Sequence, residues 1–169
     1  NQGDYEISSV SVLSKDEYSK KIAEEKFKKE KFNNALNFGF EKITVNEKLP
    51  DNWFKWGYED YNLRIDSNEK HNGKYSILIE PEADKKENSF GCVAFSIPPN
   101  IKGNEIELKT YMKMENIADG QIGLMLRLDG STGMLQFDNM QQKNIQGTSD
   151  WTLYSVKLPF PEETRIIHI

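Results

Sequence analysis

HNGKYSILIE (residues 71–80) decides how this chain is read. Asn72-Gly73 is a turn dipeptide, because glycine enters the left-handed backbone region freely and asparagine tolerates it. Behind it, Tyr75, Ile77 and Ile79 alternate with Ser76, Leu78 and Glu80. Side chains of a strand point to opposite faces in turn, so this period of two predicts a strand entered from a tight polar turn.

The same punctuation repeats on both sides. Upstream, LNFGFEKI (36–43) is expected as a first strand. A turn at Leu49-Pro50-Asp51-Asn52 leads into WFKWG and then YNLRID. Downstream, SFGCVAFSI is apolar enough for a central strand. EIELKTYMKM alternates, with Ile106, Leu108, Thr110, Met112 and Met114 on one face. Asp119-Gly120 is expected as a turn before QIGLMLRLD, and the loop from Gly130 to Gly133 as a hairpin into MLQFDNM. QQKNIQGTSD is expected as a polar loop, followed by the strand WTLYSVKLPF. TRIIHI stops in mid-strand, which suggests a fragment whose closing strand lies elsewhere or whose edge is covered, since open edges pair promiscuously. Eight to ten short strands with regular turns predict an all-β fold, a β-sandwich of the jelly-roll kind.

Residues 1–35 have another character. After a short β-like patch, ISSVSVL, Ser14 and Glu17 have the spacing of a helix capping box. Glu24 and Glu25 precede Lys28 and Lys29 by four residues, pairs that support a helix by about 0.2–0.5 kcal/mol each. The apolar stripe of Tyr18, Ile22, Phe27 and Phe32 is thin. The expectation is a charged, solvated lead-in helix near residues 15–34, then a module over 36–169 truncated before its closing strand.

Composition narrows the function. The 169 residues carry a net charge of −5, against nucleic acid or an anionic membrane as partner, since both call for a basic face. No apolar run reaches bilayer length. The chain does not begin with Met and shows no signal peptide, so it is expected to start after processing or trimming. Cys92 stands alone and reads as a small buried hydrophobe rather than a nucleophile. Of the two histidines, His71 lies in a polar turn and His168 at the end of the last run. There is no GxSxG elbow and no zinc-ligand spacing, and Ser131-Thr132-Gly133 reads as a hairpin loop. No catalysis is expected in this chain.

Sugar binding is the leading expectation. Pyranose rings stack their C–H faces on aromatic rings and present hydroxyls to planar polar groups. Trp53, Trp56, Tyr58 and Tyr61 supply rings, and Arg127, Asp129, Gln136, Asp138, Asn139 and Gln141 supply hydrogen-bonding groups. Paired through the Gly130–Gly133 hairpin, Arg127, Asp129, Gln136 and Asp138 would form one polar patch. The same residues fit other roles. Trp53, Trp56 and Trp151 suit core plugs, Arg127–Asp138 suits a cross-strand ion pair, and the face suits docking onto a neighbouring catalytic domain.

From residue 36 on, NFGFE, HNGKYSILIE and WTLYSVKLPF resemble galactose-binding-like jelly-roll modules, which include many carbohydrate-binding modules. LPDNWFKWG, SFGCVAFSIP, YMKMENIADGQIGLMLRLDG and FDNMQQKNIQGTSDW resemble more closely the N-terminal accessory domain of bacterial secreted tail-specific (C-terminal-processing) serine peptidases and of erythromycin-esterase-like proteins. That resemblance implies a non-catalytic accessory module of an exported hydrolase, binding a glycan or polymer, or else a ligand-free domain that positions the catalytic domain. It also implies a structural calcium ion held by Glu41 and by the turn from Asp66 to Gly73, together with a closing-strand Asp that this chain lacks.

Overall fold

The computed structural model describes residues 14–169, so ISSVSVL lies outside the described residues. Two compact units divide the chain, Asn1–Gly39 and Phe40–Ile169.

In the first unit, helix α1 spans Lys15–Ala35. Its start is the expected capping box: Ser14 N–H and Oγ–H both donate to Glu17 Oε2 at 2.8 Å, and Glu17 N–H donates back to Ser14 Oγ at 3.3 Å. These bonds hold the Glu17 carboxyl below its ordinary pKa, the backbone N–H of Ser14 contributing most. Tyr18, Ile22, Phe27 and Phe32 are all exposed, as a thin stripe predicts. Phe32 meets Phe38 edge-on at 6.4 Å.

The second unit is all-β. Ten strands follow one another: β1 (Phe54–Gly57), β2 (Tyr61–Asp66), β3 (Ser76–Pro81), β4 (Gly91–Ala94), β5 (Ser96–Ile97), β6 (Glu105–Ile122), β7 (Leu126–Gly130), β8 (Gly133–Asp138), β9 (Ile145–Pro159) and β10 (Ile166–His168). Every pairing is antiparallel. β1 pairs with β4, β2 with β3 and β6 with β9, while the fourth sheet runs β5-β10-β7-β8. Fully buried Leu126, Leu128 and Ile167 form the inner face of that sheet, and Leu63, Phe95, Ile97, Val156 and Leu158 extend the core.

HNGKYSILIE does what its pattern demands. β3 pairs with β2 in unbroken register from Asp66↔Ser76 to Tyr61↔Pro81. Gly73 has φ +69°, and a Cβ there would strike the Glu41 carboxylate. Glycine adopts this backbone without strain and leaves room for the Glu41 carboxylate.

Several boundaries differ from expectation. LNFGFEKI is not a strand: Asn37 and Phe40 sit at φ 58° and 62°, which breaks the pleat. SFGCVAFSI splits at Phe95 into β4 and β5. Asp119-Gly120 makes no hairpin. β6 runs through it, shedding register against β9 at three irregularities between Met112 and Ile122. Most of the expected loop QQKNIQGTSD belongs to β9, after a 3-10 turn at Gln141–Lys143. The last run is not an open edge. β10 is paired on both sides, Ile167 facing Ile97 and Leu128, and Ile169 exchanges two backbone bonds with Phe95.

Candidate functional site

The hairpin expected to carry the site forms as read: β7 pairs with β8 across residues 130–133. Its register, however, separates the four polar residues. Leu128 faces Gln136 and Leu126 faces Asp138, while Arg127 faces Phe137. Directly opposed residues share a face. Gln136 and Asp138 therefore lie on the side of the buried leucines, and Arg127 and Asp129 lie on the other. A single patch of all four does not exist.

The turn after β8 spends its polar groups locally. Asp138 Oδ1 accepts from Met140 N–H at 2.7 Å, and Asn139 Oδ1 from Gln141 N–H at 3.1 Å. Both bonds fix a turn whose Met140 is left-handed, at φ 59°. Asp138 and Asn139 are turn caps, and Gln141 opens the short 3-10 turn. The expected Arg127–Asp138 ion pair is replaced by one within β7, with Arg127 Nε–H donating to Asp129 Oδ1 at 2.8 Å.

The outer face of the same sheet gathers a different set. β10 lies between β5 and β7, and its residue opposite Arg127 and Ser96 is His168. His168 Nε2 is 3.3 Å from Asp129 Oδ2, and Ser96 Oγ is 2.8 Å from His168 Nδ1. A hydrogen bond from Arg127 to Asp129, a 3.3 Å contact from Asp129 to His168 and a hydrogen bond between His168 and Ser96 thus link the four side chains. Asp129 is held below its ordinary pKa, chiefly by the Arg127 hydrogen bond, and stays a carboxylate. His168 and Asp129 are sheltered, and Ser96 is exposed.

Aromatic side chains wall this network. Trp56 meets His168 edge-on at 5.4 Å, and Phe54 stacks on Trp56 at 6.4 Å. Phe137, opposite Arg127, and Ile166 and Met134, opposite Asp129, are exposed large apolar side chains on the same face. Charged hydrogen-bonding groups and partly open rings thus share the outer face of this sheet.

The other expected rings lie elsewhere. Trp53 is half-buried, between Phe40 at 4.9 Å and the buried Phe95 at 5.4 Å. Tyr58 meets Phe90 edge-on at 5.5 Å. Gly91 brings β4 against the ring of Tyr61, whose hydroxyl donates to the Ser89 carbonyl. Trp151 is half-buried, 6.0 Å from His71. An open depression of about 680 Å³ near Thr44–Trp53 is lined by a turn whose Thr44 N–H and Oγ both donate to Asp51. Glu47, Lys48, Asn52 and Trp53 also line it.

Ser96 and His168 were missed by the sequence reading. Ser96 lies between the buried Phe95 and Ile97, and His168 follows the buried Ile167, so alternation marks their side. Nothing in the sequence pairs them, because 72 residues separate them. Cys92 is half-buried rather than buried, and its partial burial pushes the thiol up to about 11.

The residues proposed for calcium come together only in part. Glu41 lies over Gly73, and its Oε1 accepts from Lys74 N–H at 2.8 Å. Asp66 Oδ1 accepts from Asn68 N–H at 2.8 Å and Glu69 N–H at 3.3 Å. Calcium takes six to eight oxygens. Among the described residues, no three His, Cys, Asp or Glu side chains are gathered to hold an ion. These carboxylates accept from backbone N–H groups.

No family model matches the chain, and no solved structure matches it. It is similar to "Uncharacterized HTH-type transcriptional regulator YbfP" of Bacillus subtilis (strain 168), with 26% identity over 125 residues, 72% of this chain and 42% of the relative. The chain therefore spans less than half the length of that relative.

Proposed function

We propose that this chain is a non-catalytic accessory module, of galactose-binding-like jelly-roll type, that binds a carbohydrate or a hydroxyl-rich polymer. The observation that carries the proposal is Trp56 standing against His168 beside the Arg127–Asp129 pair on an exposed sheet face. An indole supplies a platform for a sugar's C–H face. The neighbouring groups offer donors and acceptors to its hydroxyls, and the pairing of Arg127 with Asp129 keeps the patch near neutral. Trp56, Arg127 and Asp129 come from the expected site, with Ser96 and His168 added.

The module is one part of a longer protein in this proposal. The family resemblance makes that protein an exported bacterial hydrolase. The relative's name points to a regulator instead. A helix-turn-helix needs two packed helices, and α1 is the single α-helix among the described residues. A 125-residue match is also too long to fit within Asn1–Gly39, so most of it falls in the all-β unit. The similarity therefore concerns a part other than a DNA-reading helix pair, which supports an accessory role in either setting.

A glycan array probed with this chain and with Trp56→Ala tests the reading. Binding to neutral glycans that Trp56→Ala abolishes is the expected result, and no glycan bound by the folded chain defeats it. The exposed Phe137, Ile166 and Met134 favour a second reading, a ligand-free face docking on the parent's catalytic domain. That reading predicts that charge-to-alanine changes at Arg127 weaken association with that domain and leave glycan signals at background.

A further inference from the structure

One arrangement on this face exceeds what ligand recognition requires. Ser96 Oγ, His168 and Asp129 form an acid–base–hydroxyl chain, with contacts of 2.8 Å and 3.3 Å. A serine hydroxyl is a weak nucleophile until a base takes its proton, and the base works when a third group fixes its tautomer. Asp129, kept ionised by Arg127, draws the proton to His168 Nε2 and leaves the Nδ1 lone pair facing Ser96. The groups facing His168 are Ser96 from β5, Asp129 and Arg127 from β7, and the uncharged Trp56 ring from β1. The base is thus sheltered by an indole while the hydroxyl is open to solvent. A reagent can reach Ser96, while its activating partner is mostly covered.

We infer that Ser96 is an activated hydroxyl that accepts an acyl group from activated esters, with His168 as its base and Asp129 as the positioning residue. Ser96 Oγ attacks the ester carbonyl while its proton passes to His168 Nδ1. The new Oγ–acyl bond forms, the bond from the carbonyl carbon to the leaving oxygen breaks, and the leaving alkoxide or phenoxide recovers the proton from His168. No electrons are exchanged and no co-reactant is consumed. The site is a stoichiometric acyl acceptor, which is compatible with a module that turns nothing over. The exposed Phe54, stacked on the half-buried Trp56, supplies a wall for an aryl or alkyl leaving group.

The test uses p-nitrophenyl acetate with this chain. The expected result is a burst of about one equivalent of p-nitrophenolate, with the acetyl group mapped to Ser96 by peptide mass spectrometry. Ser96→Ala, a mild change at an exposed strand position, removes the burst. His168→Gln slows Ser96 labelling at least tenfold, and in the unmodified protein labelling slows as the pH is lowered. Acetyl groups spread over surface lysines with Ser96 unmodified would overturn the inference. So would Ser96 labelling that is as fast in His168→Gln, or indifferent to acid in the unmodified chain. The glycan array is independent of this experiment, so either result stands without the other.

Discussion

The turn from Asp66 to Lys74 and the outer face of the β5-β10-β7-β8 sheet use similar polar groups in opposite ways. At the turn, every carboxylate described is aimed at the chain itself. Asp66 caps Asn68 and Glu69, Glu41 caps Lys74, and Glu69 pairs with Lys113 at 2.7 Å. His71 lies flat on Tyr111 with ring centres 3.6 Å apart, which ties the turn to β6. On the sheet face, Arg127, Asp129, His168 and Ser96 bond to one another rather than to backbone, and the outermost hydroxyl stays accessible. Polar groups spent on backbone make framework. Polar groups spent on each other, with one end open, make a site.

That contrast can be broken most forcefully from behind. Leu128 is fully buried on the reverse of the sheet face. Leu128→Ala should cost roughly 2–5 kcal/mol of stability, as large-to-small core changes do, and so weaken the site together with the fold. Chemical denaturation reads this directly. Gly73→Ala attacks the turn instead. It forces a side chain into the left-handed region and against Glu41, which should cost about 1–3 kcal/mol. Its binding and Ser96 labelling, measured while it is still folded, should match the unmodified chain.

Trp56→Ala is the converse. The melting temperature should move by only a few degrees while affinity for a bound glycan drops about tenfold or more, a loss typical of an aromatic anchor. Titration calorimetry beside a thermal melt separates the two effects.

Acid sharpens the contrast further. The Asp66 carboxyl lies below its ordinary pKa because the Asn68 N–H, above all, bonds its ionised form. A value lower in the folded than in the unfolded chain stabilises above the ordinary carboxylate range. That stabilisation is lost as pH falls through the range towards the folded value. Thermal melts should therefore decline in acid, and Asp66→Asn should flatten that decline. The smallest effect belongs to Arg64 and Glu80, an exposed pair at 3.4 Å, where Arg64→Ala should cost under about 1 kcal/mol.

The parts of this molecule that were legible in the sequence are those governed by neighbours. The capping box at Ser14 and Glu17, the Gly73 turn and the β2–β3 alternation all depend on residues a few positions apart. The all-β class followed from them. Reading failed where a distant partner decides. The tip of the β6–β9 ribbon absorbs an Asp-Gly pair that looks like a hairpin, because β9 continues alongside it and irregular register takes up the strain. Asp138 looked like a ligand group because its alternation is correct, but only the pairing with Leu126 reveals its face. Trp53 and Trp56 are three residues apart and look alike in sequence. The first faces Phe95 and the second His168, and no local rule separates them.

The three residues of β10 have a consequence for the order in which this protein assembles. Ser96 and His168 meet across 72 residues, and the strand that joins them holds β5 on one side and β7 on the other. Closing so long a loop costs entropy before any contact rewards it. The β2–β3 and β7–β8 hairpins are local and can form early, whereas the Ser96–His168 junction belongs to the last stage. The chain should acquire most of its secondary structure before the reactive hydroxyl exists. In stopped-flow refolding, Ser96 reactivity should therefore trail the backbone signal.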